Sequence, residues 1–165
     1  MNQITGVRLK EVRNDVCHLF DLDVFLPGYK MLVNVSSSII SLLSKEQGDV
    51  ISQRILTETE IRVALPLLLS PACCPQEVLH ACYDCPYEIL LQALFSPHTS
   101  SLRQWDDLVL EHCQRLNVAR QQRAQRDEMR GVYNALFSLR QKLSQLGLDI
   151  RSRREGYYLS ALASE

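Results

Sequence analysis

The 165-residue chain is 46% apolar and 22% charged, with a formal net charge of −1, a balance ordinary for a soluble globular protein and a length enough for one domain with its own hydrophobic core, or one domain with a small appendage; the elements along the chain make the expected domain α+β. No apolar run approaches the roughly 18–20 residues of a membrane span, and Met1–Thr5 shows no basic stretch leading into an apolar one, so no secretory leader is visible and no membrane partner is expected. The expected location is cytoplasmic, where the six cysteines at 17, 73, 74, 82, 85 and 113 would stay reduced.

Residues 7–56 read as mostly extended, the N-terminal antiparallel sheet of the fold. Val16–Phe20, Leu22–Leu26 and Lys30–Val35 are rich in β-branched and aromatic residues, as strands require. Pro27-Gly28 signals a turn, and Ser36–Ser38 and Gln47–Asp49 signal further breaks. Val50–Ile55 is a candidate strand, while Ile39–Leu43 is too short to assign. Thr57 followed by Glu60 is a capping box that opens a helix, with Ile61, Ala64, Leu65, Leu68 and Leu69 at helical spacing. Pro66 should kink that helix and Ser70-Pro71 should end it. The sheet is expected to pack on this helix. Pro75 and Pro86 suit the starts of two more helices. Ser96–Ser100 reads as a loop and Ser101 with Gln104 as another capping box. A stripe of Leu102, Trp105, Leu108, Val109, His112 and Leu116 follows, and the polar stretch 119–128 should project into solvent or break the helix.

The clearest helix covers 129–146. Val132, Leu136, Leu139 and Leu143 recur at i, i+4, i+7 and i+11, one continuous face, and Gly147 is placed to cap it. Its other side carries Arg130, Tyr133, Asn134, Phe137, Ser138 and Gln141, side chains that reach base edges and phosphates. The period then changes: Leu148–Ser152 and Tyr157–Leu159 alternate like paired strands around Arg153–Gly156. Residues 120–154 hold nine Lys/Arg against three acids, a surplus of +6, which leaves nine against sixteen, −7, on the rest. A basic helix followed by a basic-tipped hairpin is the order of a winged helix. The helix would lie in the major groove, with Arg151, Arg153 and Arg154 on phosphates or in the minor groove; Arg123 and Arg126 would add backbone contacts.

Leu139-Arg140-Gln141-Lys142-Leu143, Gly147, Ile150, Arg153 and Gly156-Tyr157-Tyr158-Leu159 resemble the end of the OmpR/PhoB-type winged-helix DNA-binding effector domain. Leu56-Thr57-Glu58-Thr59-Glu60 with Leu65, Leu68, Leu69 and Pro71 resembles its first helix. The likeness spans roughly 15–83 and 129–160. It implies a groove-facing surface at Arg130, Tyr133, Asn134, Phe137 and Ser138, and a wing arginine at Arg153. The chain departs from that family in lacking a receiver domain, in a long connection holding Pro86–Leu94 and Ser101–Ala119, in Phe137 at a commonly basic position, and in Arg154 where the wing tip often has glycine. The expected organisation is one domain over 1–165: a sheet region to 56, two helices over 57–83, a helical insert over 84–128, and recognition helix and wing over 129–165.

Cys73, Cys74, Cys82 and Cys85, with His80 between, are spaced unlike paired C-x-x-C zinc ligands. They read as buried small hydrophobes, so no metal and no cofactor is expected. No Gly-rich phosphate loop, G-x-S-x-G or H-E-x-x-H occurs, the histidines at 18, 80, 98 and 112 are scattered, and His112 reads as a satisfied core residue; the chain is not expected to be an enzyme. The expected partners are double-stranded DNA and a second copy of the chain, since such readers usually bind paired half-sites, with the 84–128 insert as a surface for a protein partner. The alternative is a protein-interaction module on the same scaffold, its anchors Tyr133 and Phe137.

Overall fold

The structure, a computed structural model, describes residues 17–95 and 99–162, with the side chains at 94–102 outside that description. The chain divides into two units, Met1–Ile61 and Arg62–Glu165. The predicted edge of the sheet region, at 56/57, falls a little over one helical turn before that division.

In the first unit β1 (Cys17–Asp21), β2 (Tyr29–Asn34), β3 (Ile39–Ser44) and β4 (Val50–Ile55) form an antiparallel meander in the order β1-β2-β3-β4. Directly paired residues share a face. The pairs Phe20↔Met31, Met31↔Leu42 and Val33↔Ile40 therefore gather five buried apolar side chains on one side. β3 is the strand the sequence left unassigned. Ile40, Ser41 and Leu42 are all buried, so β3 hides both faces and loses the alternation that marks a half-exposed strand.

The predicted extended run Leu22–Leu26 is instead the turn joining β1 to β2. Phe25 and Leu26 N–H donate to the Leu22 carbonyl at 3.1 and 2.6 Å. Asp21 Oδ1 accepts from the Asp23 N–H (2.8 Å) and Asp23 Oδ1 from the Gly28 N–H (2.9 Å). Lys45 Nζ bridges both carboxylates, 2.7 Å from Asp21. Short acids that satisfy nearby N–H groups compete with strand pairing, and Gly28, at φ 88°, supplies the left-handed residue before β2. The predicted extended residues 7–16 lie outside the described residues.

Helix α1 (Glu58–Leu69) opens on the predicted capping box: Glu60 N–H donates to Thr57 Oγ1 (3.2 Å) and Thr57 N–H to Glu60 Oε1 (2.8 Å). It continues through Pro66 for another turn and closes where the Ser70 N–H donates to the Pro66 carbonyl at 3.0 Å.

The second unit contains α2 (Gln76–Asp84), α3 (Tyr87–Phe95), α4 (Thr99–Gln121), α5 (Gln125–Glu128) and α6 (Arg130–Ser144), then β5 (Leu148–Arg153) and β6 (Gly156–Ala161). Pro75 and Pro86 stand immediately before α2 and α3, as their missing N–H groups suit. Arg62 donates to the Cys85 and Cys82 carbonyls at the end of α2, and its guanidinium lies 5.1 Å from the Tyr87 ring centre. Cys82, Cys85 and Leu90 form a buried cluster joined by Val78, Tyr87, Trp105 and Leu108, which holds α2, α3 and α4 together. Thr99 and Ser100, read as loop, already belong to α4; Ser96–His98 and the Ser101 side chain lie outside the described residues. The polar stretch after 119 breaks the helix. Arg123 turns left-handed (φ 59°) while its N–H donates to the Arg120 carbonyl and the Ala124 N–H to that of Ala119, a Schellman cap built without glycine.

α6 buries Val132, Leu136, Leu139 and Leu143, the predicted apolar face, together with Ala135. A Cβ on Gly131 would come within 2.5 Å of Tyr83 Oη, so the missing side chain lets α6 approach α2 closely. Gly147 (φ 87°) ends the helix region. The β5–β6 hairpin turns on Arg154-Glu155, with Arg153 opposite Gly156. A third segment pairs with it from before α2: Cys74 N–H donates to the Tyr157 carbonyl (2.7 Å), Tyr157 N–H to that of Cys74 (2.9 Å), and Leu159 N–H to that of Pro71 (2.9 Å). This pairing depends on Gly156, because a Cβ there would sit 2.2 Å from the Cys74 oxygen. Gly156→Ala should therefore cost about 2 kcal/mol, a fall in midpoint of roughly 8 °C in a thermal melt. An unchanged midpoint would show that the 71–74 segment yields freely.

Candidate functional site

Successive residues of a helix are rotated by about 100°, so Arg130, Asn134, Phe137 and Gln141 fall within one arc of about 60° on α6. All four are exposed. Phe137 is 65% exposed in the middle of them. Tyr133 and Arg140 flank the arc on one side and Ser138 on the other. Ser138 is half-buried, and its hydroxyl donates back to the Ala135 carbonyl at 3.5 Å. Arg130, at the start of the arc, and Arg140, beside it, each contact an acid. Arg130 Nη2 lies 2.5 Å from Asp127, and Arg140 Nε lies 2.7 Å from Asp149 on β5. The middle of this face, Asn134, Phe137 and Gln141, is thus uncharged.

The hairpin is different. Arg151, Arg153 and Arg154 are exposed, and among the described residues none of them is in an ion pair. Arg151 stands opposite Tyr158 in the β5–β6 register, and the Arg153 guanidinium stacks over the Tyr158 ring at 3.9 Å. Stacking holds the guanidinium plane while its N–H groups still point outward at the rim, free for an anion. Alternation puts Ser152 and Tyr157 on the opposite face of the hairpin.

Between α6 and the hairpin runs an open cleft of about 400 Å³ lined by Tyr133, Leu136, Phe137, Arg140, Ile150, Arg151, Ser152 and Tyr157. The structure therefore brings three predicted site residues together here, Tyr133, Phe137 and Arg151. Arg140 and Tyr157 were not singled out from sequence as site residues, although Tyr133, Phe137 and Arg140 repeat at i, i+4 and i+7 and so share a face. Arg123 and Arg126 are exposed on the turn after α4 and on α5, and neither lines this cleft.

A polar chain with two buried histidines at its inner end ties α2 to α4 and α5. Nδ1 of His80 meets Nδ1 of His112, and His80 Nε2 lies 2.9 Å from Glu128. Arg115 approaches the same Glu128 oxygen at 2.7 Å and Asp84 at 3.2 Å. The partners assign the tautomers: His80 donates from Nε2 to the carboxylate, and His112 donates from Nδ1 to His80. His112 is the satisfied buried residue its helical face implied, whereas His80, read only as a neighbour of cysteines, is the link. Arg120 adds a contact to Glu77 at 3.4 Å. Cys82 and Cys85 pack in the α2–α4 core, and Cys74 is buried at the strand pairing. Burial pushes the Cys74 thiol up to about 12 and raises those of Cys82 and Cys85, so these groups stay protonated and pack as small apolar residues. Among the described residues no helix is long and apolar enough to cross a membrane.

Compared with protein-family models, curated proteins and solved structures, the chain matches none.

Burial lowers the His112 pKa from its ordinary value. The His80 ring and Arg115 act in the same direction, and Asp84 and Glu111 oppose them. A folded value below the unfolded one means that the unfolded chain takes up the proton first. The stability linked to His112 is therefore complete above about pH 6.5, declines as pH falls below that, and levels off beneath the folded value. Denaturant titrations between pH 8 and pH 5 should show the wild type losing more stability on acidification than His112→Asn, in which an amide takes the donor position; parallel losses would exclude His112 as the titrating group.

Proposed function

We propose that the Arg62–Glu165 unit reads double-stranded DNA as a winged helix. On this reading α6 is the recognition helix in the major groove and the β5–β6 hairpin is the wing. The observation that carries it is the pairing of an exposed helix face that presents two amides with a hairpin whose three arginines make no ion pair among the described residues. The element order supports it: α1, a strand-like segment at 71–74, α2, then α6 and a hairpin, with 71–74 hydrogen-bonded to the second hairpin strand. The α3–α5 segment is then an insert between the two helices of a helix-turn-helix. The four-stranded meander ahead of α1 fits the same resemblance to OmpR/PhoB-type effector domains.

The roles divide by chemistry. Asn134 and Gln141 present amides that suit adenine edges, while Arg151, Arg153 and Arg154 suit phosphates or a narrow minor groove. Arg130, Tyr133 and Ser138 flank the reading surface, and Arg123 and Arg126 supply further backbone contacts. The protein acts in the cytoplasm as a transcription regulator, without catalysis, and binds as a homodimer over paired half-sites. α4 exposes Leu110 and Val118, a surface on the insert for a protein partner.

The exposed Phe137 also suits a protein partner at α6 itself, since aromatics anchor such interfaces. Salt separates the two readings. Selection from a random duplex pool, followed by binding at rising salt, should give an affinity that falls linearly on a log–log plot. Arg153→Ala should weaken binding about equally on all sequences and reduce the slope by about one. Failure to retain any duplex, or an affinity indifferent to salt, would remove the DNA reading; an unchanged slope would remove Arg153 alone.

A further inference from the structure

Resting on that reading, the make-up of the α6 arc points to the kind of base pair it selects. Asn134 and Gln141 are seven residues apart, about 10.5 Å along the helix axis. That is about three base-pair steps of ~3.4 Å. Phe137 stands between them and is 65% exposed. A phenyl ring neither donates nor accepts a conventional hydrogen bond, so it cannot read the polar edge of guanine, cytosine or adenine. The distinctive apolar feature that a base pair presents in the major groove is the thymine 5-methyl group. Both amides match adenine N6 and N7, in the bidentate pairing that Asn and Gln make. Of the neighbouring cations, Arg130 lies at the start of the arc beside Asp127 and Arg140 lies at its margin beside Asp149, so the side chains adjoining Phe137 along the arc are the two amides.

We propose that the α6 arc selects an A·T-rich half-site in which Phe137 packs on the 5-methyl group of a thymine lying between the base pairs read by Asn134 and Gln141. Phe137 is then a specificity-determining residue, and the free arginines of the hairpin hold the duplex without choosing the sequence.

The test replaces each thymine of the selected duplex, one at a time, by deoxyuridine, which removes only the methyl group. For the wild-type chain one such replacement near the centre of a half-site should weaken binding about fourfold, the worth of one buried methyl-sized group. In Phe137→Ala the same replacement should change nothing, while Phe137→Leu, which keeps an apolar tip, should retain a preference for thymine. This cycle isolates the ring–methyl contact, and the exposure of Phe137 keeps the fold out of the comparison. Uracil tolerated at every position by a wild-type chain that still binds duplex would overturn the inference and leave the DNA reading standing. So would thymine preference that survives Phe137→Ala. A chain that retains no duplex at all removes both.

Discussion

Residues Pro71–Cys74 leave α1 and hydrogen-bond to β6 before the chain enters α2, and the geometry of the second unit depends on that contact. A two-stranded hairpin alone is marginal in water. Here the Cys74–Tyr157 exchange gives it a third partner, and the approach is so close that only glycine fits at 156. Because β5 follows α6 through Gly147, and 71–74 leads into α2 through Pro75, the same hydrogen bonds fix the start of one helix against the end of the other. Tyr83 over Gly131 closes the opposite side. Backbone pairing and small-residue contacts thus help to place α6 beside the hairpin, and the exposed Asn134, Phe137 and Gln141 take no part in them.

The connection between α2 and α6 is long, and the structure stabilises it at two kinds of contact. One is apolar, the Cys82–Cys85–Leu90 cluster with Trp105 and Leu108. The other is the polar chain from the buried His112 and His80 out to the part-exposed Glu128 and Arg115. A buried polar chain gains little net stability over an apolar one of the same shape, because desolvation offsets most of the attraction. It is selective in geometry, however: a helix displaced along its axis would leave the two buried imidazoles unsatisfied. The left-handed Arg123 and its Schellman cap then reverse the chain into α5, so that α6 starts beside α2 in spite of the intervening helices.

Features set by neighbours in sequence were legible before the structure. The Thr57–Glu60 box, the Val132–Leu143 stripe and the left-handed Gly147 each need only a few adjacent residues and stand where the pattern put them, while α6 stops at Ser144 rather than 146 and the hairpin connection narrows from the predicted Arg153–Gly156 to Arg154-Glu155. Features set at a distance were not. Leu22–Leu26 has strand composition, but Lys45 clamps Asp21 and Asp23 from the far side of β3. Ile39–Leu43 looked too short for a strand because its burial comes from both faces. Pro71–Cys74 carries two prolines nearby and no alternation, so its pairing to β6 left no local trace. At the candidate site, the arc of α6 followed from helical periodicity, whereas the ion pairs that neutralise Arg130 and Arg140 depend on where Asp127 and Asp149 lie in space.

Those ion pairs bear on how affinity and selectivity would be apportioned. Of the nine basic residues in 120–154, Arg120, Arg130 and Arg140 are engaged with acids and Lys142 is half-buried with an interaction of its own. The exposed arginines that remain are 123, 126, 151, 153 and 154. On the proposed reading, counterion release scales with the phosphates that are neutralised, so the salt slope would be about −4.5 if only these five acted and about −8 if all nine did (about −0.9 per phosphate). None of the five lies on the α6 arc. Electrostatic attraction and base selection then reside on different elements, joined by the 71–74 pairing. On that reading a change on the arc would alter which duplex is preferred, and a change on the hairpin would alter how tightly any duplex is held.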